Sequence, residues 1–327
     1  MNVRAWAPGK IIICGEHFVV HGGLVLAAAL SKGVEVQVED SDRMVIEAPQ
    51  LSDSIQSSKP IAEFAPFNKT LNAIDDYLGA KSKFKIKIHS DLPIGAGLGS
   101  SSATAVSFVK AVTSALEHDL KRDEILDLAS VFEKHVHGNP SGIDVRVSND
   151  GGLVLYSKTT GSNSLTFDDS LSLIVSYSGE TRNTGAMINH VEKFRSSAPY
   201  TFKTMVDSSS NFVDLSVECI RNKNLSLLGS IMQFHHSSLS LLGLSTVKID
   251  IMIDSALKSG SLGAKITGAG GGGCIIVLPK PNQENQIIDS LSDVASESFV
   301  TTIPQKGVKL WKKLMNLLLN WAGPLLL

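Results

Sequence analysis

The chain has few cysteines, and their positions exclude two kinds of protein. Only three occur among its 327 residues, Cys14, Cys219 and Cys274, and none belongs to a CxxC pair. A disulfide framework or a zinc site would need more cysteines at closer spacing. Two of the three lie within apolar runs, so the sequence predicts buried, reduced thiols.

The chain also lacks an excess of basic residues and a long apolar run. Lysine and arginine number 30 against 32 aspartate and glutamate residues, a net charge of −2 that argues against a nucleic-acid partner. No segment reaches the ~18 consecutive apolar residues of a transmembrane helix. Lys10, Glu16 and His17 interrupt residues 1–20, which therefore do not resemble a signal peptide. We expect a cytoplasmic protein without a transmembrane segment.

Apolar periodicity predicts an α+β fold. Alternation with a period of two predicts strands, for example at residues 34–39 and 84–89, and spacings of three and four predict helices near 101–117 and 123–135. Residues 184–258 are largely helical in pattern, and strands return after them. Because strands and helices are grouped rather than strictly alternating, the predicted class is α+β.

A glycine- and serine-rich segment at residues 92–103, LPIGAGLGSSSA, lies between a predicted strand and a predicted helix. Its glycines allow a sharp turn and a close approach to a ligand, and the first N–H groups of the helix favour an anion such as phosphate. No lysine follows the last glycine, as a Walker A motif requires, and the glycine spacing is one residue short of the dinucleotide-binding pattern. The segment predicts a phosphate-binding loop of another type, although a glycine turn with serine caps has the same composition.

A second glycine-rich segment, KITGAGGGGC at residues 265–274, contains the GxGxxG spacing. An apolar strand follows it rather than a helix, so we reject a dinucleotide-binding role. Four consecutive glycines still indicate a backbone that lies against a ligand or against another loop.

Several charged residues lie next to predicted strand ends and tight turns. Lys10 begins an apolar strand, and Glu16 and His17 end it. Glu133 lies on a predicted helix that ends in HGNPSGID, where glycine and proline enforce a tight loop before Asp144. A solvated strand end and an ordinary turn would explain the first three equally well.

Three segments together resemble the signature motifs of the GHMP kinase superfamily, which includes galactokinases, homoserine kinases, mevalonate kinases and phosphomevalonate kinases. PGKIIICGEHFVVHGG is similar to the first motif, PIGAGLGSSSA to the second and KITGAGGGGC to the third, in the order of the family. Within the superfamily the chain most resembles the mevalonate kinases. Apolar residues follow GEH, residues 133–144 read EKHVHGNPSGID, and Arg182, Asn183 and Thr184 match a further Arg-Asn/Ser-Thr element.

The resemblance implies a two-lobed fold. Residues 1–155 would form an N-terminal ATP-binding lobe with the glycine loop, residues 156–307 a C-terminal α+β lobe, and residues 308–327 an extension. It also implies ATP and Mg²⁺ as cofactors and mevalonate as the substrate, phosphorylated on its primary hydroxyl. The resemblance is compatible with a homodimer.

The resemblance further assigns roles to single residues. Asp144 and Lys10 would be catalytic, the first accepting or orienting the proton of the substrate hydroxyl and the second stabilising the charge on the transferred group. Ser101 and Glu133 would hold Mg²⁺, and either neighbouring serine stays open as the hydroxyl ligand. The residues implied in ATP binding are Pro93, Ile94, Gly95, Ala96, Gly97, Leu98, Gly99, Ser100, Ser101 and Ser102.

Substrate contacts and the third motif complete the implied site. The residues that would contact the substrate are Glu16, His17, Arg182 and Thr184, and those of the third glycine motif are Gly268, Gly270 and Gly271. Arg182 is the candidate for a substrate carboxylate, because its planar guanidinium group matches that shape. No motif identifies the adenine pocket, which lies near residues 52–68 in family members.

Other interpretations stay open at this point. They are a GHMP kinase for another alcohol (phosphomevalonate, a sugar or homoserine), a non-catalytic GHMP-like ligand sensor, and an unrelated α+β protein. The resemblance implies a last strand that residues 306–311 could supply. In the extension, polar residues at helical spacing predict an amphipathic helix from Lys309 to about Asn320. That helix could pack on the enzyme or a second subunit, or lie on an anionic membrane. A disordered or non-native tail is the alternative.

Overall fold

The structure, a computed structural model, describes residues 2–49, 65–81, 83–93, 95–138, 140–165, 171–181 and 184–312. Within them, eleven strands form two sheets. The first sheet contains β1 (Asn2–Cys14), β2 (Val25–Asp40), β3 (Val45–Glu47), β4 (Phe84–Ser90), β5 (Leu153–Ser157), β6 (Gly161–Leu165) and β11 (Lys309–Lys312). The second contains β7 (Ser172–Tyr177), β8 (Gly263–Thr267), β9 (Cys274–Leu278) and β10 (Glu297–Thr302).

Helices pack on both sheets. The helices of the described residues are α1 (Ala65–Leu78), α2 (Ser100–Ala115), α3 (Arg122–His137), α4 (Ile143–Asp150), α5 (Thr184–Ser197), α6 (Pro199–Arg221), α7 (Leu225–Leu241), α8 (Val247–Lys258) and α9 (Glu284–Leu291). A short 3₁₀ helix, Phe18–His21, follows β1. Helices α5 to α8 account for the stretch in which the sequence predicts mainly helix.

The first sheet has the strand order β11–β1–β2–β4–β3, and β5 and β6 continue it beside β2. Its central pair is β1 and β2, which run antiparallel with Val3 opposite Val38. The register of this pair shifts between Pro8 and Lys10. An irregularity of this kind bends a strand and changes the direction of its side chains. The shift therefore divides β1 into a part before it and a part that bears Lys10, and both parts pair with β2.

Helix α2 lies in the centre of the first lobe, which we define as the first sheet with α1 to α4. It packs on β1 and β2 and also on α1 and α3. Val106, Phe108 and Val109 are fully buried, and so are most residues around them. A helix that is buried on every face needs such a sequence, and each large apolar side chain stabilises the fold by about 1.5–3 kcal/mol on burial. This packing fixes the start of α2, where the glycine loop ends.

The second sheet is antiparallel, with the order β10–β7–β9–β8. Strands β8 and β9 are buried along their whole length. Helices α7 and α8 pack against β8, and α9 packs against β7 and β10. Because every residue of β8 is buried, its polar side chains must find partners inside the protein.

The structure confirms the α+β class and the buried thiols, since Cys14, Cys219 and Cys274 are all free and buried. It also extends the first sheet. Strand β5 pairs with β2, and β6 pairs with β5, so the sheet continues to Leu165 and the division at residue 155 falls inside β5. Among the described residues, no helix is both long and apolar enough to cross a membrane.

The prediction of a helix that begins at Lys309 is wrong. Lys309–Lys312 form β11, which pairs antiparallel with β1 and places Lys312 opposite Val3. The physical reason is that β1 offers an edge with free backbone groups, and pairing with it overrides the local helical pattern. The strand expected at residues 306–311 overlaps β11. Residues 313–327, which carry the rest of the predicted extension, lie outside the described residues.

Candidate active site

A cavity of ≈1220 Å³ opens between the glycine loop, β1, the end of α3 and the start of α4. Its volume exceeds the ~300–1,000 Å³ that is typical of a single small-molecule site, so it has room for two substrates. Lys10, Glu16, His17, Glu133 and Asp144 all line it. The fold thus brings together charged residues from distant parts of the sequence.

Lys10 and Asp144 form an ion pair in this cavity. The Nζ atom of Lys10 lies 3.2 Å from Oδ2 of Asp144. The backbone N–H of Lys10 donates to the carbonyl oxygen of Leu98 at 2.7 Å, which attaches β1 to the glycine loop. Asp144 lies in the first turn of α4, which begins after Gly142 with φ 79°. The Lys10 side chain is 8% exposed and that of Asp144 32%, so the carboxylate stays accessible to a substrate.

Gly99 is the point at which the loop touches Lys10. It precedes α2 and has φ 75°, in the left-handed region. A Cβ atom at this position would lie 2.7 Å from Cγ of Lys10 and 3.2 Å from its backbone nitrogen. Only glycine tolerates both the backbone angle and the contact. The first N–H groups of α2 follow directly, and the start of a helix favours a bound anion.

Ser101 and Glu133 meet where α2 packs on α3. The Ser101 hydroxyl donates a hydrogen bond to Oε1 of Glu133, whereas the Ser102 hydroxyl is buried without a hydrogen-bond partner among the described residues. Glu133 is 4% exposed, and no cation of the described chain forms an ion pair with it. A buried carboxylate without a countercharge is costly.

The Ser101–Glu133 pair fits a magnesium ion. Hydroxyl and carboxylate oxygens are ligands that Mg²⁺ prefers, and a divalent cation would compensate the buried charge. The described residues contain no group of three His, Cys, Asp or Glu side chains that could hold a metal by themselves. Phosphate oxygens and water would therefore have to complete the coordination shell.

Glu16 and His17 form the turn that follows β1. The Glu16 carboxylate pairs with Nζ of Lys265 on β8, and the two side chains are 1% and 0% exposed. Burial raises the pKa of the Glu16 carboxyl, and the neighbouring Lys265 ammonium opposes that rise. His17 has φ 59°, and its Nε2 atom lies 2.8 Å from the carbonyl oxygen of Ala269. The turn is therefore attached at two points to β8 and to the loop that follows it.

The third glycine motif divides into two parts. Gly268 lines the cavity. Gly270 and Gly271 pack against protein, because a Cβ atom would lie 2.5 Å from the Leu244 carbonyl oxygen at the first and 2.6 Å from Sδ of Met187 at the second. The two expected reasons for a glycine run, a ligand and another part of the chain, thus apply to different residues.

Most residues predicted to bind ATP line the cavity, namely Pro93, Gly95, Gly97, Gly99, Ser100, Ser101 and Ser102. The side chains of Ala96 and Leu98 do not, because they are 1% exposed and belong to the hydrophobic core, where they anchor the loop. Thr184, the first residue of α5, lines the cavity. Ile94 and Arg182 lie outside the described residues.

Sequence reasoning missed the apolar end of the cavity. Ala48, Phe67, Ile88 and Phe132 line it, and the rings of Phe67 and Phe132 have centroids 4.9 Å apart. Phe67 falls in the region where the adenine pocket was expected, but no motif marked it. The four residues come from separate elements, so no spacing along the chain could have shown that they meet.

A second missed residue is Lys158, which follows β5. Its Nζ atom donates to the carbonyl oxygen of Val20 at 2.9 Å, and both residues line the cavity. Val20 belongs to the 3₁₀ helix after the Glu16–His17 turn. The ammonium group of Lys158 therefore lies beside this turn.

Comparisons with known proteins agree on one family. The sequence models of the GHMP kinases N terminal domain and the GHMP kinases C terminal match residues 66–152 and 216–297. The chain is 33% identical to the mevalonate kinase of Pyrococcus horikoshii over 94% of this chain and 97% of the relative. It is 30% identical to the mevalonate kinase of Aeropyrum pernix over 94% of this chain and 98% of the relative.

Solved structures agree with the sequence relatives. The L. major mevalonate kinase in complex with R-mevalonate superposes with a TM-score of 0.82 at 26% identity, covering 91% of this chain and 94% of that one. The Methanococcus jannaschii mevalonate kinase superposes with a TM-score of 0.81 at 25% identity, covering 93% and 98%.

Proposed function

This chain belongs to the GHMP kinases, and we propose that it transfers the terminal phosphoryl group of ATP to the primary hydroxyl of mevalonate with Lys10 and Asp144 as catalytic residues. Its activity is that of a mevalonate kinase, a phosphotransferase with an alcohol group as acceptor. Relatives of that name, 30–33% identical over nearly the whole chain, support the substrate. The structural observation that carries the proposal is the Lys10–Asp144 ion pair of 3.2 Å beside the glycine loop.

In the proposed reaction, Asp144 accepts the proton of the substrate hydroxyl, or orients that hydroxyl. At the same time the hydroxyl oxygen of the substrate forms a bond to the terminal phosphorus of ATP. The bond from that phosphorus to the bridging oxygen breaks, and ADP leaves with the electron pair. Lys10 lowers the pKa of the hydroxyl and stabilises the negative charge on the transferred group. Phosphoryl transfer depends mainly on positioning and electrostatic stabilisation, and fixed side chains on β1 and α4 supply both.

The glycine loop and the start of α2 are proposed to bind the phosphates of ATP. Backbone N–H groups in the loop and in the first turn of the helix would donate to phosphate oxygens. The apolar end of the cavity, with Phe67 and Phe132, is proposed to hold the adenine ring. Its apolar and aromatic walls suit a planar base.

Mg²⁺ is proposed to bind to Ser101 and Glu133. When bound, the ion would neutralise charge on the ATP phosphates. The role of the two side chains is to present oxygen atoms at the start of α2, next to the loop. The buried Glu133 carboxylate, which has no cationic partner in the described chain, supports this assignment.

Mevalonate is proposed to bind near the Glu16–His17 turn and the start of α5. Glu16, His17 and Thr184 line that part of the cavity, and Arg182 stays a proposal for the substrate carboxylate. Lys158 is an additional cation for the same group, since its ammonium lies beside the turn.

We also propose a two-lobed organisation, a homodimer and a cytoplasmic location. The first lobe would bind ATP, and the second sheet with α5 to α9 would form the other lobe. An exposed apolar row on α7, formed by Leu227, Phe234 and Leu241, supports association with a second copy. Analytical ultracentrifugation would test the dimer.

The cytoplasmic location is supported by the three free, buried thiols, which fit a reducing compartment.

The substrate assignment is tested by ATP consumption with mevalonate, phosphomevalonate, galactose and homoserine as separate acceptors. We expect turnover with mevalonate and a product that carries its phosphate on the primary hydroxyl, as ³¹P NMR would show. Turnover with another acceptor alone would assign the chain to a different GHMP kinase. ATP binding without turnover on any acceptor would favour a non-catalytic sensor.

A further inference from the structure

Lys265 is a buried lysine whose position the proposed chemistry leaves unexplained. It lies on β8, is 0% exposed, and is among the largest fully buried side chains of the described residues. Its ammonium group donates to the Glu16 carboxylate and to the carbonyl oxygen of Ile266, and lies 3.5 Å from that of Ile12. Replacement of a buried ion pair by apolar residues of similar volume is often neutral or stabilising. Stability alone therefore gives no reason for a lysine here.

The pair connects two sheets at the edge of the cavity. Glu16 follows β1, a strand of the first sheet, whereas Lys265 belongs to β8 in the second sheet. Thr267, two residues after Lys265, accepts from the backbone N–H of Ile12 at 2.9 Å through its hydroxyl. Thr267 and Lys265 both contact Ile12 in the body of β1, but only Lys265 also holds the Glu16–His17 turn.

Only one oxygen of Glu16 is used by this attachment. Oε1 accepts from Lys265, whereas Oε2 is buried and has no hydrogen-bond partner among the described residues. Glu16 lines the cavity, as does His17, which is bonded to the carbonyl oxygen of Ala269. Lys265 thus fixes one oxygen of a buried carboxylate in the wall of the cavity, and the other oxygen has no hydrogen-bond partner among the described residues.

Of the described residues, Lys10 is the other cation that acts on Glu16, but its ammonium is paired with Asp144. His235 on α7 is fully buried, and burial together with the nearby ammonium of Lys265 lowers its pKa to about 3. The imidazole is therefore neutral at physiological pH. His236, next on the helix, also has a lowered pKa from burial. Lys265 is then the cation that balances Glu16.

We propose that Lys265 is a positioning residue for the phosphoryl acceptor, acting through its buried ion pair with Glu16 on the turn that presents Glu16 and His17 to the substrate. This inference rests on the proposed function. It names Lys265 as a determinant of acceptor binding, although Lys265 itself does not line the cavity.

The test compares Lys265→Met with Thr267→Val in the full chain, with wild type as reference. Both variants remove an attachment of β8 to β1, but Thr267→Val leaves the turn attached. We expect Lys265→Met to raise KM for mevalonate on the order of tenfold, with KM for ATP within about twofold of wild type. Thr267→Val should lower the melting temperature without moving KM for mevalonate. A folded Lys265→Met enzyme with both KM values unchanged would overturn the proposal.

A double-mutant cycle distinguishes positioning through Glu16 from a general loss of structure. If Lys265 acts through Glu16, the second substitution in Glu16→Gln/Lys265→Met should add nothing to the KM increase of Glu16→Gln alone. The neutral double variant also avoids an uncompensated buried charge, so it remains measurable if Lys265→Met does not fold. Additive increases in KM, or a folded double variant with wild-type KM, would contradict the proposal.

The acceptor screen on the wild type separates this inference from the proposed function. If the wild type phosphorylates another acceptor, the same KM comparison is made with that acceptor. If mevalonate is not a substrate, the proposed substrate is wrong, but the KM comparison with the other acceptor still confirms or contradicts the role of Lys265.

Discussion

Asp144 carries the proposed proton transfer, and its replacement by asparagine tests it directly. The amide has nearly the same shape but cannot accept the proton of the substrate hydroxyl. We expect Asp144→Asn to lower kcat by roughly 10²–10⁴-fold. ATP affinity and melting temperature should stay close to the wild-type values, because the side chain is one-third exposed and lies at the start of α4. A variant that keeps most of its kcat would remove Asp144 from the mechanism and leave Lys10 as the catalytic residue.

Glu133 is proposed as a magnesium ligand, and its own helix supplies a control. An amide is a poorer ligand for a hard cation than a carboxylate. We expect Glu133→Gln to shift the Mg²⁺ dependence of the rate to higher concentration and to lower kcat. Asp127→Asn, an exposed position on α3, should leave the magnesium titration unchanged. Superimposable titrations for Glu133→Gln and wild type would show that Glu133 does not hold the ion.

His235 should make the stability of the protein sensitive to acid. Its pKa is lowered to about 3 by burial, and neither ring nitrogen has a hydrogen-bond partner among the described residues. The unfolded chain, with an ordinary histidine pKa of ~6.5, binds more protons than the folded one in the window from pH 6.5 downwards. The free energy of unfolding therefore decreases as the pH falls from about 6.5 towards about 3, by at most about 1.4 kcal/mol per unit of pH.

Substitution of His235 by leucine should remove this contribution. We expect His235→Leu to be more stable than wild type at pH 5 by a larger margin than at pH 7.5, as measured by urea unfolding at both values. Equal margins at the two pH values would mean that His235 titrates normally in the folded protein.

Among the elements, the glycine loop is proposed to position Lys10 as well as the ATP phosphates. Two glycines with the same φ separate the effect of backbone strain from that of the contact with Lys10. Gly99 and Gly161 both have φ 75°, but a Cβ atom would contact Lys10 only at Gly99 and would meet nothing within 4 Å at Gly161. Both Gly→Ala variants should lose about 1 kcal/mol or more from backbone strain, and Gly99→Ala should lose more because its methyl group also contacts Lys10. We expect only Gly99→Ala to lose kcat as well, because the new methyl group displaces the Lys10 side chain. Equal kcat for the two variants would show that the loop does not position Lys10.

The sequence predicted elements that depend on local patterns and missed those that depend on distant partners. The alternation in β4 and the periodicity of α2 and α3 are local, and the predicted bounds differ from the observed ones by only a few residues. Helix α4 was missed, because Gly142 before it and Gly151 after it read as one continuous loop signal. For strand β11, the resemblance indicated a strand at residues 306–311, but not its pairing with β1, because that partner lies at the other end of the chain.

The same distinction applies to the candidate site. Lys10, Ser101, Glu133 and Asp144 lie in motifs that can be recognised along the chain, and the structure brings all four to one cavity. Phe67 and Lys158 belong to no functional pattern. Lys265 begins the third glycine-rich segment, but the motif by itself assigns it no role. Their contributions arise from packing between separate elements, which residue spacing does not encode.

At the scale of the whole molecule, the cavity depends on both sheets. Lys10 and the Glu16–His17 turn belong to the first sheet and its continuation, whereas the contacts that hold the turn come from β8 and the loop after it. Thr301 of β10 adds another link, because its hydroxyl accepts from the backbone N–H of Ser31 on β2 at 3.0 Å. Movement of one sheet relative to the other would therefore change the distance between the proposed substrate site and Lys10.

Strand β11 makes the end of the described chain part of the first sheet. Two truncations, one that keeps β11 and one that deletes it, test whether the fold and the activity require this strand. Every proposed site residue lies at or before Gly271, and β11 pairs with β1 on the side away from β2. Removal of residues 313–327 should leave kcat/KM for mevalonate unchanged within about twofold, since β11 and the site remain intact.

Removal of residues 308–327 should behave differently, because it deletes β11 and leaves the edge of β1 unpaired. Lys309 also lies over the ring of Trp6, 5.1 Å from its centroid, and that contact would be lost. We expect a lower melting temperature and concentration-dependent association through the exposed edge, visible as an earlier elution volume. If the shorter truncation were well folded but inactive, residues 313–327 would have to take part in catalysis. If the longer one matched wild type in melting temperature and elution volume, β11 would be dispensable, and the register of β1 would be fixed by β2 alone.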